Sequence, residues 1–263
     1  MDWQTVLIAA ALVGGTGALI AIFLEVATKV YHVDADPRIE AIEDVLPGNN
    51  CGGCGYPGCS ACAKAIVEGE TTASACVVGG QPVACEVAAI MGTRATKMMR
   101  MVAHVACSGN CYRTEKLYRY TGLRNCKSLT YMQNGGPKAC TYGCAGYGDC
   151  VKACQFEAMT IVNGVALVDW KKCRGCGQCV EACPKHLIKL VPVVNKYQIC
   201  CSSKDKGKDV MAVCDNGCIG CHACEKACKS GAISFDGNLP VIDQDKCVSC
   251  GECAKVCPKR VIF

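Results

Sequence analysis

Two stretches of the chain share one cysteine spacing, C-x2-C-x2-C-x3-C, and this repeat most restricts what the chain can fold into. The first stretch runs from Cys173 to Cys183, and the second runs from Cys247 to Cys257. Four cysteines this close on a tight loop turn their sulfur atoms toward a common centre, which suits a metal cluster better than pairing of distant thiols. The spacing therefore predicts iron–sulfur clusters.

Two other uses of cysteine compete with clusters, because the chain contains 28 cysteines among 263 residues. A disulfide scaffold is typical of small secreted domains, but this chain is long enough for a core and shows no recognisable cleavable secretion signal. Structural zinc sites usually combine two separated C-x2-C pairs or include histidine, and only four histidines occur. Iron–sulfur clusters remain the favoured interpretation.

The formal net charge of +5 treats every cysteine as neutral. Each oxidised four-iron cluster would add a core of about 2+ against four thiolates, so five clusters would bring the charge to about −5. Lysine and arginine are scattered along the chain, without a basic stripe that alternates with aromatic residues. We therefore expect no nucleic acid partner.

The segment from Thr5 to Leu24 has no charged residue and would be about 30 Å long as a helix, which matches the core of a lipid bilayer. No lysine or arginine precedes it, which favours a retained transmembrane helix over a signal peptide. Trp3 and Tyr31 stand where interfacial aromatics are common, and Lys29 follows the span. We expect a single-pass anchor in the cell membrane, with the cysteine-rich part on the cytoplasmic side.

The rest of the chain has the local patterns of an α+β protein. Asp36 and Pro37 can start a short helix that ends near Val45, and a second helical pattern covers residues 83–101. Two strand–turn–strand patterns, at residues 158–169 and 232–243, lie between cysteine runs in the second half. This internal repeat predicts two similar modules in tandem.

The second of these modules resembles the two-cluster bacterial ferredoxin, in which three cysteines of one run and the fourth of the other hold one cluster. The resemblance implies one cluster on Cys218, Cys221, Cys224 and Cys257, and another on Cys247, Cys250, Cys253 and Cys228. Pro258 follows the last cysteine as in that motif, whereas Lys229 follows Cys228. This departure would affect the potential of the cluster rather than its ligation.

The first module has one regular cysteine run and one stretched run. If the two runs exchange their fourth cysteines in the same way, one cluster lies on Cys173, Cys176, Cys179 and Cys154, and another lies on Cys140, Cys144, Cys150 and Cys183. The insert at residues 145–149 in the stretched run is rich in glycine and can curl back. We therefore expect four iron atoms at this site rather than three.

An earlier set, Cys51, Cys54, Cys59 and Cys76, lies in and after the sequence NCGGCGYPGC. Here the chain resembles the B subunit of the Rnf complex, the membrane-bound ferredoxin:NAD oxidoreductase, and the resemblance continues through GGPKACTYGCAGYGDCVKAC and both modules. It implies an α+β architecture with these parts: a transmembrane anchor at 1–30, a four-cysteine cluster domain at 31–100, a connecting segment at 101–139, ferredoxin-like modules at 140–192 and 218–263, and a connector at 193–217.

The resemblance also implies a function. A subunit of this kind accepts electrons from reduced ferredoxin and passes them to flavin-bearing partners that reduce NAD, while sodium ions or protons are pumped. The chain itself shows no flavin or NAD site, because its glycine run at residues 14–17 follows no strand of a βαβ unit. We expect the C-terminal module, around Cys250, to meet ferredoxin.

Two alternative functions belong to other classes. One is a redox sensor, or a supply of reductant for a redox-sensing regulator, and a sensor would need few clusters and an output domain. The other is a subunit of a corrinoid or CO-type metalloenzyme, which would need a domain for an active-site cofactor. The number of clusters and the partners that copurify would separate these alternatives.

Eight cysteines fall outside the five sets: Cys62, Cys85, Cys107, Cys111, Cys126, Cys200, Cys201 and Cys214. We expect Cys62 and Cys85 to be small buried apolar residues. At least five [4Fe–4S] clusters are expected, and the number of cysteines allows a sixth among Cys107, Cys111, Cys126, Cys201 and Cys214. The spacing does not determine which four would bind it.

Overall fold

The computed structural model describes residues 3–30 and 36–263, and its first element is helix α1, Trp3–Val30. This helix exposes large apolar side chains, among them Leu12, Val13 and Phe23. Within the described ranges, no helix meets the length and apolarity that crossing a membrane requires, so the expected transmembrane anchor is not confirmed. Tyr31, which contributed to that expectation, lies outside the described residues.

Three helices form the small domain that follows: α2 (Pro37–Val45), α3 (Cys59–Val67) and α4 (Gly80–Ile90). The side chain of Asp36 accepts a hydrogen bond from the backbone N–H of Arg38, and Pro37 occupies the first turn of α2. This cap satisfies a donor at the start of the helix, as the sequence predicts. Ile42, Ile66 and Val87 are buried where the helices pack.

The second predicted helix is shorter than its sequence pattern. Helix α4 ends at Ile90, and Gly92 adopts a left-handed conformation with φ +65°. A glycine in this conformation is a common way to end a helix. The predicted helix over residues 83–101 was therefore wrong in its C-terminal half, where the chain leads instead into strand β1, Met101–Val105.

The first module is built on two antiparallel strand pairs. Strands β2 (Met159–Val162) and β3 (Val165–Val168) form a predicted hairpin, and its two turn residues, Asn163 and Gly164, both have positive φ, as is typical of an Asn-Gly turn. Strand β1 pairs with β4 (Ile188–Pro192), so that Val102 lies opposite Val191. The connecting segment thus supplies a strand to the first module, which local sequence patterns did not predict.

The remaining elements are short, and four of the helices lie within cysteine runs. They are α5 (Cys126–Leu129), a 3-10 turn (Gln133–Gly135), α6 (Asp149–Lys152), α7 (Gln178–Glu181), α8 (Gly207–Val213), α9 (Ala223–Ala227), β5 (Ile233–Asp236), β6 (Leu239–Ile242) and α10 (Glu252–Lys255). Strands β5 and β6 pair as the hairpin of the second module. The fold is α+β, and cysteines make up much of both module cores.

Four of these helices place a cysteine in the same way. Each of α6, α7, α9 and α10 begins directly after a residue in the left-handed conformation. The second residue of each helix is the third cysteine of its run: Cys150, Cys179, Cys224 and Cys253. The two modules therefore hold their cysteines on one repeated backbone unit.

Candidate metal centres

The second module brings its predicted cysteines together. A cavity of about 330 Å³ is lined by Cys218, Cys221, Cys224 and Cys257. Burial, with further contributions from the neighbouring thiolates of Cys201, Cys257 and Cys221, raises the pKa of Cys218 to about 11. The structure thus groups the four residues that the ferredoxin pattern predicts, three from one cysteine run and the fourth from the other.

The other predicted set of this module also converges. Burial raises the pKa of Cys253, and the thiolates of Cys247, Cys250 and Cys228 raise it further. Helices α9 and α10, which carry cysteines of the two sets, pack against each other. Cys250 is exposed, so this set lies near the surface of the module.

In the first module, a similar cavity of about 330 Å³ is lined by Cys154, Cys173, Cys176 and Cys179. The backbone N–H of Ala103 in β1 donates a hydrogen bond to the Sγ of Cys173 over 3.3 Å. A Cβ on Gly175 would lie 2.5 Å from the carbonyl oxygen of Met101, so this close approach of β1 requires glycine. Pairing of β1 with β4 therefore also positions a cysteine set.

The stretched run is arranged differently from its prediction. A cavity of about 400 Å³ is lined by Cys126, Cys144, Cys150 and Cys183. Burial raises the pKa of Cys150 to about 12, and the next causes are the thiolates of Cys144, Cys126 and Cys183. Cys140 lines another cavity. The structure thus places Cys126 where the ferredoxin pattern predicts Cys140.

Comparison of the two modules gives the reason for this exchange. Cys144 and Cys150 have the spacing of Cys218 and Cys224, so Tyr147 stands at the position of Cys221. In each module a left-handed glycine two residues after the first cysteine, Gly146 or Gly220, lies against the turn of the hairpin. Cys144 is thus equivalent to a first cysteine, and Tyr147 leaves the second position without a thiol.

Asp149 holds Cys126, which replaces the missing second cysteine, in place. Its carboxylate accepts hydrogen bonds from the backbone N–H groups of Cys126 and Lys127, over 2.9 and 3.1 Å, at the start of α5. The backbone N–H of Tyr147 also donates to the Cys126 thiol, which opposes the rise in its pKa that burial causes. The unchanged spacing of Cys144 and Cys150 was the sequence signal that could have identified the missing second cysteine.

The set in the small domain surrounds a buried cysteine. Cys54, Cys59 and Cys76 pack around Cys62, which is 1% exposed and therefore buried as predicted. Burial and these neighbouring thiolates raise the pKa of Cys62 to about 12. Cys51 instead lies beside the first module, where its carbonyl oxygen accepts a hydrogen bond from the Gln178 side chain over 2.6 Å.

Five other cysteines line one further cavity of about 340 Å³: Cys107, Cys140, Cys200, Cys201 and Cys214. Cys111, which belongs to the residues considered for a sixth cluster, is exposed. Cys85 is also exposed, on the outer side of α4, so its prediction as a buried residue was wrong.

Backbone N–H groups point at the sulfur atoms in a repeated manner. The fourth cysteine of each run, Cys154, Cys183, Cys228 or Cys257, accepts a hydrogen bond from the residue four positions later, over 3.3 to 3.5 Å. The residue just before each donor has a left-handed conformation, which turns the donor back toward the sulfur. Such bonds stabilise a thiolate and tune the potential of a bound cluster.

These cavities fit [4Fe–4S] clusters by the chemistry of their donors. A cluster of this kind is held by four cysteine thiolates, and each cavity offers at least four thiol groups with backbone donors nearby. Among residues 3–30 and 36–263, no three histidine, cysteine or acidic side chains are grouped so as to hold a metal ion. A cluster has a different requirement, since its thiolates surround a core of several atoms.

Two lysines lie between the cavities of Cys144 and Cys140. Lys138 is 6% exposed, and its Nζ donates hydrogen bonds of 2.8 Å to the carbonyl oxygens of Gly109 and Gly164. Lys185 donates to the carbonyl oxygen of Thr141 over 2.8 Å, and burial lowers its pKa. Positive charge beside thiolates stabilises the more negative, reduced state of a cluster.

Comparison with known proteins agrees with this chemistry. Residues 46–78 match the family described as "Putative Fe-S cluster", and residues 172–232 and 217–261 match the "4Fe-4S dicluster domain". The chain therefore contains iron–sulfur domains of these two kinds.

Several curated proteins are similar along nearly the whole chain. The B subunit of an "Ion-translocating oxidoreductase complex" from Methanosarcina acetivorans is 43% identical over 96% of this chain and 96% of its own length. The B subunit of a "Na(+)-translocating ferredoxin:NAD(+) oxidoreductase complex" from Acetobacterium woodii is 43% identical over 98% of this chain and 78% of its own. A proton-translocating counterpart from Clostridium ljungdahlii is 40% identical over 88% of this chain and 82% of its own.

The position of Lys138 leads to a prediction about potentials. Lys138→Met should make the midpoint potential of the nearby clusters more negative, because it removes a buried positive charge beside Cys107 and Cys144. It should also cost about 1–3 kcal/mol of stability for each carbonyl left unpaired. A redox titration followed by EPR, and thermal unfolding, would measure these effects. The exposed Lys226→Met is the control, and unchanged potentials in Lys138→Met would contradict the prediction.

Proposed function

Because the chain belongs to the family formed by the B subunits of ion-translocating oxidoreductase complexes, we propose that it is the electron-transfer subunit of a ferredoxin:NAD oxidoreductase of that type. It would accept electrons from reduced ferredoxin and pass them singly to flavin-bearing partner subunits. Those partners would reduce NAD and couple the reaction to Na⁺ or H⁺ translocation. The names of the relatives support this proposal, and so does the arrangement of the cysteine sets.

The observation that carries the proposal is that neighbouring cysteine sets touch. Cys51 lies close enough to Cys176 for its thiolate to raise the pKa of Cys176, although burial is the larger cause. A Cβ on Gly53 would lie 2.8 Å from the carbonyl oxygen of Cys176, so the small domain approaches this loop closely. The thiolate of Cys179 likewise contributes to the raised pKa of Cys150, so these two cysteines are also neighbours. Three sets therefore form a continuous row.

We assign the ligands of five [4Fe–4S] clusters from these positions. The small domain would use Cys54, Cys59 and Cys76, which lie together, and Cys51, which the sequence motif adds as the fourth ligand. The first module would use Cys154, Cys173, Cys176 and Cys179 for one cluster and Cys126, Cys144, Cys150 and Cys183 for the other. The second module would use Cys218, Cys221, Cys224 and Cys257, and Cys228, Cys247, Cys250 and Cys253.

The chain and its bound groups have separate roles in this function. The clusters would supply reversible one-electron oxidation and reduction. The chain would hold them in a row, shield most of their ligands at least partly from water, and direct backbone N–H groups at the sulfur atoms. NAD and flavin chemistry would take place on the partner subunits, since the sequence offers no nucleotide-binding motif for either.

The assignment of Cys126 can be tested by metal content. Cys126→Ala should lower the iron content and remove or convert one EPR signal, because Tyr147 provides no thiol as a substitute. Iron and acid-labile sulfide would be measured on protein purified without oxygen. Cys111→Ala, which changes an exposed cysteine outside the sets, is the matched control. Equal iron content and equal spectra in the two variants would contradict the assignment.

We further propose that ferredoxin meets the C-terminal module. Cys250 is exposed there, and the adjacent Val248 is 70% exposed, so a donor could approach this set closely. Electron transfer between proteins falls steeply with distance, which favours an exposed cluster as the entry point. The other exposed cysteine of this module is Cys221, which belongs to the set with Cys218, Cys224 and Cys257.

The donor and the entry point are tested together in the complete complex. Reduced ferredoxin should reduce the clusters of the unmodified chain and drive NAD reduction, and Cys250→Ala should slow both by about tenfold or more, with Cys111→Ala as the control. If ferredoxin fails to reduce the unmodified chain, the proposed function is wrong. If Cys250→Ala is reduced as fast as the unmodified chain, only the entry point is wrong.

We also propose that helix α1 attaches the subunit to the membrane. The exposed apolar side chains of α1 support attachment of the subunit to the membrane-bound complex, with the cluster domains on the cytoplasmic side. Removing residues 1–35 should release the subunit from membranes of cells that express the whole complex, as measured by fractionation. Leu12→Ala, which keeps the helix apolar, should remain with the membranes. A truncated chain that still sediments with the complex would contradict attachment through α1.

A further inference from the structure

One further group of cysteines lies outside the five assigned sets. The cavity of Cys107, Cys140, Cys200, Cys201 and Cys214 is lined by residues of the connecting segment, of the first module and of the connector that leads to the second module. Its volume of about 340 Å³ is close to the 330 Å³ of the two regular ferredoxin-type cavities. Five thiols line this cavity, at least as many as line each of those two.

We propose that Cys107, Cys140, Cys201 and Cys214 hold a sixth [4Fe–4S] cluster that joins the two ferredoxin-like modules. The four cysteines come from four separate segments of the chain, and no regular motif connects them. Its role in electron transfer rests on the proposed function, although the existence of the site does not.

The mutual positions of the thiols support this set of four. The thiolates that act on Cys140 are those of Cys107, Cys214 and Cys201, which together with burial raise its pKa to about 11. Cys107 and Cys201 are also neighbours. The sulfur of Cys214 would lie 3.3 Å from a Cβ placed on Gly109, and the sulfur of Cys107 would lie 3.8 Å from it. The loop at Gly109 therefore passes close to two of the proposed ligands.

Cys200 lines the same cavity but faces a different partner. Its Sγ is 3.9 Å from Nε2 of His104 and 3.8 Å from the carbonyl oxygen of Gln198. By contrast, Cys201 accepts a hydrogen bond at its sulfur from the backbone N–H of Cys218, over 3.3 Å. A thiol that donates to a carbonyl stays protonated, whereas a thiolate ligand accepts hydrogen bonds. The proposed set therefore leaves Cys200 out.

A buried hydroxyl group points to a bound group in this cavity. Thr114 is 4% exposed, lines the cavity, and its Oγ1 is a buried side-chain atom without a hydrogen-bond partner. Native proteins rarely leave a buried hydroxyl unpaired, and a bound cluster would offer sulfur acceptors there. This observation is independent of the cysteines.

The contacts on either side of the cavity place it between two assigned sets. The backbone N–H of Cys144, in the first module, donates to the Sγ of Cys107 over 3.3 Å. The backbone N–H of Cys218, in the second module, donates to the Sγ of Cys201 over the same distance. The sets of Cys144 and Cys218 are thus each linked to the sixth site by one hydrogen bond. The sixth site completes a row from the small domain to the C-terminal module.

A pair of matched double variants tests the site. The full chain, purified without oxygen, should contain about 24 iron atoms, four for each of six clusters. Cys201→Ala with Cys214→Ala should contain about 20 and lack one EPR signal, whereas Cys200→Ala with Cys111→Ala should keep all of them. About 20 iron atoms in the unmodified chain, no difference between the variants, or zinc in place of the sixth cluster's iron would overturn the proposal.

Two further measurements separate this inference from the proposed function and from misfolding. In the ligand variant, reduced ferredoxin should still reduce the C-terminal clusters while NAD reduction by the complex is lost. Thr114→Val, which keeps all four ligands, should retain its iron but shift the potential of one cluster. An unchanged set of potentials in Thr114→Val would contradict a hydrogen bond from its hydroxyl to a cluster in this cavity.

Discussion

The gathering of four cysteine thiols around each cavity is the constraint on which most of the fold depends. Strands β5 and β6 are only four residues long each, and few apolar side chains are buried beside them. Cysteines occupy a large share of both module cores, where large aliphatic side chains would stand in a protein of ordinary composition. The stability of such a module must come largely from what its thiols bind, since metal ligation contributes directly to folding.

Electrostatics shows why these thiols need bound groups. Burial raises the pKa of several cluster cysteines, and the thiolates of the same set raise it further, as for Cys150 and Cys179 at about 12. Four negative charges close together are unfavourable unless positive charge lies between them. Iron would supply that charge at the centre of each set, while backbone N–H groups and Lys138 supply smaller amounts from outside.

The proposed function follows from contacts between sets rather than from any one of them. A ferredoxin module alone can carry electrons, but a subunit that connects a soluble donor with distant partners needs a continuous row. The small domain reaches the first module at Cys51 and Cys176, and cysteines of the cavity around Cys140 accept hydrogen bonds from Cys144 of the first module and Cys218 of the second. The two lysines beside that cavity would favour reduction at the middle of the row.

The sequence by itself determined the regular cysteine sets, the two hairpins and the cap of α2, because each depends on residues within a few positions of one another. A run such as Cys173 to Cys183 turns its thiols to one side through local backbone geometry. Only the tertiary structure decided that Cys126 rather than Cys140 joins Cys144, and that β1 pairs with β4. Those arrangements depend on Asp149 holding α5 and on strands far apart in the chain, and spacing along a sequence carries no measure of such long-range packing.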